Sequence, residues 1–259
     1  MDIKIIFFDI DGTLKSFHND GLTPGVIQAL RQVQQRGIKI FIATGRAPYM
    51  MPHFDGVNFD GYLCFNGGYS YTKERVLYHN ALDKQDIEQL IHNAKIMGED
   101  VLVAGVKEMS ATGLNKALED YMSFAKLKIT NYGDKHLQNV LDHDVYQLMV
   151  GTKEEQDAEL LQGIKNLKVT RWWDCACDIV DKDCSKSQGI SHVLEAYGCD
   201  RENVMAFGDG GNDMDMLAYA GMGVAMGNAK EKVKACANYV TDSVDDDGVV
   251  TALKHFHII

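Results

Sequence analysis

Asp9 and Asp11 stand two residues apart and are followed by Gly12 and Thr13, directly after the apolar run Ile3, Ile5, Ile6, Phe7 and Phe8. Two neighbouring ionised carboxylates repel each other by roughly 4 kcal/mol at 4 Å in a protein-like dielectric, so a pair placed side by side needs an opposing charge. A divalent cation is the simplest partner. A short Asp-x-Asp loop offers hard oxygen ligands with little bulk, which suits a Mg2+ ion that keeps several waters and bridges to a phosphate. The alternative is structural: Asp9 closing a strand and Asp11-Gly12 making a turn.

Three further segments carry chemistry of the same kind. Residues 38–43 (IKIFIA) end in Thr44-Gly45-Arg46, Lys186 follows a helix-capping Ser185, and Val204–Phe207 runs straight into Gly208-Asp209-Gly210-Gly211-Asn212-Asp213. Each has a plain alternative, respectively a turn, a solvated first-turn lysine and an ordinary glycine loop. Together they fit phosphoryl transfer. Asp209, Asp9 and the backbone carbonyl of Asp11 would supply oxygens to Mg2+, while Thr44, Lys186, Asn212 and exposed N–H groups would hold phosphate oxygens. An aspartate attacking phosphorus forms an aspartyl-phosphate and splits one hard step into two easier ones. A second carboxyl must then protonate the leaving alcohol and later deprotonate water, and Asp11 is the candidate. Arg46 and Asn66 lie beside strand ends and are candidate contacts to the leaving group.

The elements that would position these groups alternate between strand and helix. Ile3–Phe8 has the apolar continuity of a strand buried on both faces of a parallel sheet, and ligands bind at the carboxyl edge of such sheets. Thr23-Pro24 supplies an N-cap and first-turn proline, Val26, Ile27, Leu30 and Val33 recur at helical spacing, and Gly37 fits the stop. With 38–43 this is a right-handed strand-helix-strand unit with parallel strands. A short helix over Ala47–Met51, a strand at Tyr62–Phe65, a turn at Asn66-Gly67-Gly68 and a hairpin of Tyr69–Tyr71 with Val76–Tyr78 follow.

From about Asp83 the pattern becomes an α+β block without clustered chemistry. It comprises a helix through Ile87, Leu90, Ile91 and Ala94, a strand at Val101–Ala104, a helix near Leu114–Ala125, a strand at Val145–Val150, a helix at Glu154–Ile164, and strands near Leu167–Trp173 and Ala176–Val180. The division expected is a core of residues 1–82 and 184–259 with 83–183 inserted. Trp172, Trp173, Tyr121 and Met122 are candidates for the inner face of that insert or, more simply, for its core. After it, a helix from Lys186 carries Ile190, Val193, Leu194 and Tyr197 inward and ends at Gly198. A helix at Met214–Tyr219, a strand at Gly223–Met226, a short helix capped by Asn228, a strand at Tyr239–Val240 and a final helix complete the chain.

Composition narrows the class. At 259 residues with a formal net charge of −11, the chain is poorly suited to a nucleic-acid backbone or an anionic membrane as partner. It has no apolar run near 18 residues and no signal-peptide pattern at its start, so a soluble, cytoplasmic protein is expected. The six cysteines are scattered as free thiols of a reducing compartment would be, and the Cys175-x-Cys177 spacing with Cys184 is outside the usual zinc-ligand pattern.

DIDGT at 9–13, ATGR at 43–46, Lys186 after Cys184-Ser185, GDGGNDMDML at 208–217, GVAMGNA at 223–229 and DDDGV at 245–249 resemble the haloacid dehalogenase-like hydrolase superfamily, specifically its Cof-type phosphatases with a large inserted cap. The resemblance covers the chain from end to end. It implies an α/β fold, with a Rossmann-like parallel-sheet core and an α/β (α+β) cap inserted after the third core strand. It further implies Asp9 as nucleophile, Asp11 as acid/base, and Thr44, Gly45, Lys186 and Asn212 as phosphate-binding residues. Mg2+ would be the cofactor, held by Asp9, Asp11 and Asp209 with Asp213 steadying the metal shell. The expected activity is Mg2+-dependent hydrolysis of a small phosphorylated metabolite, a sugar phosphate or related phosphomonoester. A hexose phosphomutase on the same core and a non-catalytic binding protein are the alternatives.

Overall fold

The computed structural model describes residues 2–18, 21–124, 127–129 and 131–259. The chain enters through β1 (Ile5–Phe8), α1 (Pro24–Gln35), β2 (Lys39–Ala43), β3 (Gly61–Cys64), β4 (Tyr69–Thr72) and β5 (Val76–His79). Thr23 caps α1, its hydroxyl accepting from the Val26 N–H at 3.1 Å, and Pro24 occupies the first turn, where its missing N–H leaves no bond unmade. The helix expected over Ala47–Met51 is a single 3-10 turn, Pro48–Met50, and Pro52 just beyond it disfavours helical backbone at Met51.

The middle of the chain builds a second compact unit from α2 (Lys84–Ile96), β6 (Val101–Gly105), β7 (Met109–Ala111), α3 (Lys116–Phe124), α4 (Asp134–Leu141), β8 (Val145–Val150), α5 (Asp157–Leu160), β9 (Leu167–Trp173) and β10 (Ala176–Asp181). Its five-stranded sheet has the order β7-β6-β8-β10-β9, antiparallel throughout. Ile87, Leu90 and Ala94 of α2 pack with Val101, Val103, Leu148, Cys177 and Ile179 in its core. The helix expected over Glu154–Ile164 is a 3-10 turn (Glu154–Gln156) followed by the short α5. Tyr121 and Met122 are buried in this unit, the Tyr121 hydroxyl donating to the Asp178 carboxylate at 2.9 Å. The side chains of Trp172 and Trp173, and residue Ala125 at the end of the expected third helix, lie outside the described residues.

The chain then completes the first unit with α6 (Lys186–Tyr197), β11 (Val204–Gly208), α7 (Met214–Tyr219), β12 (Met222–Ala225), α8 (Glu231–Lys234), β13 (Tyr239–Val240) and α9 (Gly248–His255). By internal contacts, the first unit comprises Met1–Arg46, Met51–His79 and Ser185–Ile259, and the second Ala47–Met50 and Asn80–Cys184. Leu82 goes with the second: its N–H donates to the Val145 carbonyl at 2.8 Å and its side chain joins that core.

The eight-stranded sheet of the first unit has the order β13-β12-β11-β1-β2-β3-β4-β5. The strands from β13 to β3 run parallel, and β4 and β5 add an antiparallel hairpin to the β3 edge. The hairpin corrects one expectation: the chain leaves the sheet for the insert after β5 and not after the third strand. Ile5 and Phe7 face one side with Ile190, Val193 and Leu194 of α6, while Ile6 and Phe8 face the other with Val26, Leu30 and Val33 of α1. Each such side chain, fully withdrawn from water, contributes about 1.5–3 kcal/mol. A strand loaded on both faces has no slack in register, and β1 delivers its last residue to a fixed point. Its neighbours β2 and β11 lie on opposite sides, where the strand order reverses.

Candidate active site

Register brings the chemistry together. Phe8 lies opposite Ile42 on β2 and Phe207 on β11, so Asp9, Thr44 and Asp209 emerge from three adjacent strands at one edge. The Asp9 N–H donates to the Phe207 carbonyl at 3.0 Å, and the Thr44 N–H to the Leu63 carbonyl at 2.8 Å. Beyond Asp9 the chain turns tightly, with the N–H groups of Leu14 and Lys15 both donating to the Ile10 carbonyl. Gly12 sits in that turn at φ 86°, and a side chain there would run into the Asp209 carboxylate. Only glycine serves both needs.

Lys186 is fully buried at the start of α6, which Ser185 caps by accepting from the Gln188 N–H. Its ammonium donates to Asp9 Oδ1 at 2.6 Å and to Asp213 Oδ1 at 2.5 Å. A solvated first-turn lysine is thereby excluded. Asp213 Oδ2 accepts from the N–H groups of Asp209 at 2.9 Å and Gly210 at 2.8 Å, so Asp213 has both oxygens engaged and acts on the site through Lys186 and the loop backbone. Among the described residues, Asp9 Oδ2 receives no side-chain hydrogen bond. Asp209 is held by neutral donors, the Thr13 hydroxyl on Oδ1 at 3.0 Å and the Asn228 amide on Oδ2 at 3.3 Å.

The charges explain the proton affinities. Burial pushes the Asp9 carboxyl well above the ordinary aspartate range; Lys186 opposes this, and Asp213 and Asp209 add to it. Burial, then Asp213, raises Asp209 to about 7. Burial alone would lower the Lys186 ammonium, but Asp213 and Asp9 outweigh it and hold the group above the usual lysine range. Fully ionised, Asp9, Asp11, Asp209 and Asp213 against Lys186 and Arg46 leave a formal charge of about −2, which a divalent cation would neutralise.

The donor set fits such an ion. Oxygens of Asp9, Asp209 and Asp213 lie within 4.8 Å of one another, the group of potential metal ligands among the described residues, and an all-oxygen set of carboxylates suits a hard cation such as Mg2+. Asp11 is outside this group. Its carboxylate is gripped by Arg46, whose Nη2 donates to Oδ1 at 2.8 Å and to Oδ2 at 2.7 Å and whose Nε donates to Oδ2 at 2.9 Å. The arginine expected beside a leaving group thus sits on the candidate acid/base.

Around this centre three loops are zipped together. The Asn66 N–H donates to the Thr44 carbonyl at 2.9 Å, the Phe65 N–H to the Arg46 carbonyl at 3.1 Å, and the Asn212 amide to Asn66 Oδ1 at 3.0 Å. Gly45 lies against the Asn66 amide. Phe65 and Asn66 both take left-handed backbone, φ 51° and 54°, ahead of Gly67 at 97°. Such conformations in larger residues carry strain of order 1–3 kcal/mol each and persist only where surroundings enforce them. Here they turn the Asn66 amide onto Asn212.

All ten residues expected in the site, Asp9, Asp11, Thr44, Gly45, Arg46, Asn66, Lys186, Asp209, Asn212 and Asp213, fall in the first unit and are linked by the contacts above. Two participants escaped sequence reasoning. Thr13 reads as part of the turn yet anchors Asp209. Asn228 reads as a helix cap, but α8 begins at Glu231 behind Lys230, and the Asn228 side chain instead reaches Gly12, Asp209 and Val244.

The description haloacid dehalogenase-like hydrolase belongs to a family model that matches residues 6–253. Putative phosphatase YkrA of Bacillus subtilis is 30% identical over 269 residues, covering the whole of both chains. The 5-amino-6-(5-phospho-D-ribitylamino)uracil phosphatase YitU of the same organism is 27% identical, with 97% of each chain covered. Among solved structures, the phosphatase BT1666 from Bacteroides thetaiotaomicron superposes with a TM-score of 0.92 at 34% identity, over 99% of this chain and 96% of that one. The subclass IIB sugar phosphatase BT4131 does so with 0.87 at 34% identity, over 99% of this chain and all of that one. With its parallel-sheet core, its separate antiparallel sheet and this likeness along its whole length, the chain belongs to the haloacid dehalogenase-like hydrolase family and groups with the phosphatases of that family.

Proposed function

We propose that this protein is a Mg2+-dependent phosphatase of small phosphomonoesters, acting through an aspartyl-phosphate on Asp9. The observation that carries the reading is the buried Lys186 bridging Asp9 and Asp213 beside Asp209. It holds one Asp9 oxygen in place and leaves the other for attack. Asp9 and Asp209, with the backbone of Asp11, would hold the metal, which when bound supplies charge compensation for the phosphoryl oxygens. Thr44, Gly45, Lys186 and Asn212 bind and orient those oxygens, and Asp213 fixes Lys186 and the 209–210 backbone.

In the first half-reaction Asp9 Oδ2 bonds to phosphorus while the bond from phosphorus to the alcohol oxygen breaks. Asp11 delivers a proton to that oxygen. In the second, Asp11 takes a proton from water, the hydroxyl oxygen bonds to phosphorus, and the acyl-phosphate bond breaks to return Asp9 and inorganic phosphate. Arg46 orients the Asp11 carboxylate between these roles. Relatives named for a ribityl phosphate and for sugar phosphates support a phosphate carried on a polyhydroxylated metabolite as the substrate class. The free cysteines support a cytoplasmic setting, and among the described residues no helix is long and apolar enough to cross a membrane.

The test is a panel of phosphorylated sugars and polyols assayed for released phosphate with Mg2+ and with chelator, for the native chain and for Asp9→Asn. Hydrolysis that needs Mg2+ and vanishes in a folded Asp9→Asn variant is expected. Substantial turnover by that variant, or full activity in chelator, overturns the proposal.

A further inference from the structure

We infer that Asn228 is a positioning residue for the metal centre, setting the distance between the acidic loop after β1 and the Asp209 carboxylate after β11. The inference rests on the reading of Asp209 as a metal ligand. Its geometry is unambiguous. The Val244 N–H can only donate, and it donates to the Asn228 side-chain oxygen at 2.9 Å. The amide nitrogen therefore points the other way, where the Gly12 carbonyl accepts at 2.9 Å and Asp209 Oδ2 at 3.3 Å. Both amide hydrogens are used, one on each side of the site.

This arrangement does what a charged partner could not. Asp9 and Asp213 share Lys186, and Asp11 has Arg46, but Asp209 receives only the neutral Thr13 hydroxyl and the neutral Asn228 amide among the described residues. Two neutral donors, one per oxygen, fix the plane of the carboxylate without cancelling the charge it would offer a cation. The same amide ties down Gly12, next to Asp11, so the backbone oxygens of the acidic loop and the Asp209 carboxylate are referenced to one rigid group. Groups that orient a metal ligand from behind typically change metal affinity by about 10–100-fold when removed. Asn228 is itself exposed, so alanine there opens no cavity in the core.

Calorimetric titration of the metal-free protein with Mg2+ tests this without recourse to turnover, alongside thermal unfolding in chelator. Asn228→Ala is expected to bind Mg2+ about 10–100-fold more weakly than the native chain. The control is Asp245→Asn, which weakens the hold of the same C-terminal loop on Ser16, a hydrogen bond of 2.5 Å, without touching Asp209, and it is expected to bind Mg2+ like the native chain. If Asn228→Ala does not fold, Asn228→Ser, too short to span Gly12 and Asp209 together, carries the same expectation. Affinity in the Asn228 variant within about threefold of native, against the 10–100-fold expected, or an equal loss in Asp245→Asn, overturns the inference. A native chain that does not bind Mg2+ overturns instead the metal reading on which it rests.

Discussion

Replacing Lys186 with methionine removes one ammonium and almost no volume, since the two side chains share length and flexibility. Two carboxylates lose their cation, 2.6 and 2.5 Å away, in a site where Lys186 and Asp213 are fully buried and Asp9 is 8% exposed. Removing one partner from a buried ion pair destabilises by about 3–5 kcal/mol. At about 2–4 °C per kcal/mol for a unit of this size, the midpoint should fall by roughly 6–20 °C at pH 8. The pH dependence separates charge from packing. With Lys186 gone, nothing opposes the burial that already raises Asp9, so Asp9 takes up a proton more readily than in the native chain and, on the proposed reading, is a poorer nucleophile. At pH 5.5 that protonation also relieves the unpaired charge. Thermal unfolding in chelator at both pH values is the assay: the deficit should shrink at pH 5.5, and phosphatase turnover at pH 7.5 should be lost. A midpoint within about 2 °C of native at pH 8, against the 6–20 °C expected, or an equal deficit at both pH values, refutes the argument.

Asp209 supplies a second pH prediction. The unfolded chain releases this proton near 3.8 but the folded chain only near 7, so the contribution of Asp209 to metal-free stability is fully present below the first value and is lost as pH rises through the second. On the proposed reading Mg2+ displaces that proton, so its affinity should be about 100-fold weaker at pH 5 than above pH 7; calorimetry showing no change across that range would contradict it. Gly12→Ala meets both a positive φ and the Asp209 carboxylate, and is expected to lower the unfolding midpoint and abolish measurable Mg2+ binding at millimolar ion. Native-like binding would show that the turn relaxes freely.

What the sequence reveals of this molecule is mostly local. Thr23 and Ser185 announce their helices because the cap is made by a side chain on the nearby backbone. The apolar continuity of residues 3–8 announces β1 because both faces of that strand are buried. By contrast, α4 escapes notice: its N-cap is Gly133, which offers no side-chain signal, and DKHLQNVL carries few apolar residues. The β4–β5 hairpin is legible as a hairpin, but its attachment to β3 is a pairing that no short-range pattern encodes. In the site, residue types are legible and partners are not. Lys186 is recognisable as a cation near a strand end, yet its bond to Asp9 spans 177 positions and Asn228 reaches 216 positions back to Gly12. Arg46 shows the same limit: its charge suggests an anion, and the nearest anion is Asp11 rather than a ligand.

That distribution of charge also dictates an order of events. A phosphomonoester at neutral pH brings about two negative charges to a cluster whose own formal balance is about −2. Each like-charge pair near 4 Å is unfavourable by roughly 4 kcal/mol at an effective dielectric of 20. Lys186 offsets only part of this, because its ammonium is shared with Asp9 and Asp213, and Arg46 is paired with Asp11. Without a metal, the site can shed charge only by protonating Asp9 and Asp209, the two carboxyls with raised proton affinity. Inorganic phosphate should therefore bind in Mg2+ and be weaker in chelator at pH 8 by on the order of 10²–10³, the fold-change equivalent of about 3–4 kcal/mol. Lowering the pH to 6 in chelator should recover part of that loss, because protons then do some of the metal's electrostatic work. Calorimetric titration with phosphate under the three conditions decides the matter: equal affinity with and without Mg2+ at pH 8 would mean that the anion is held by groups outside the acidic cluster.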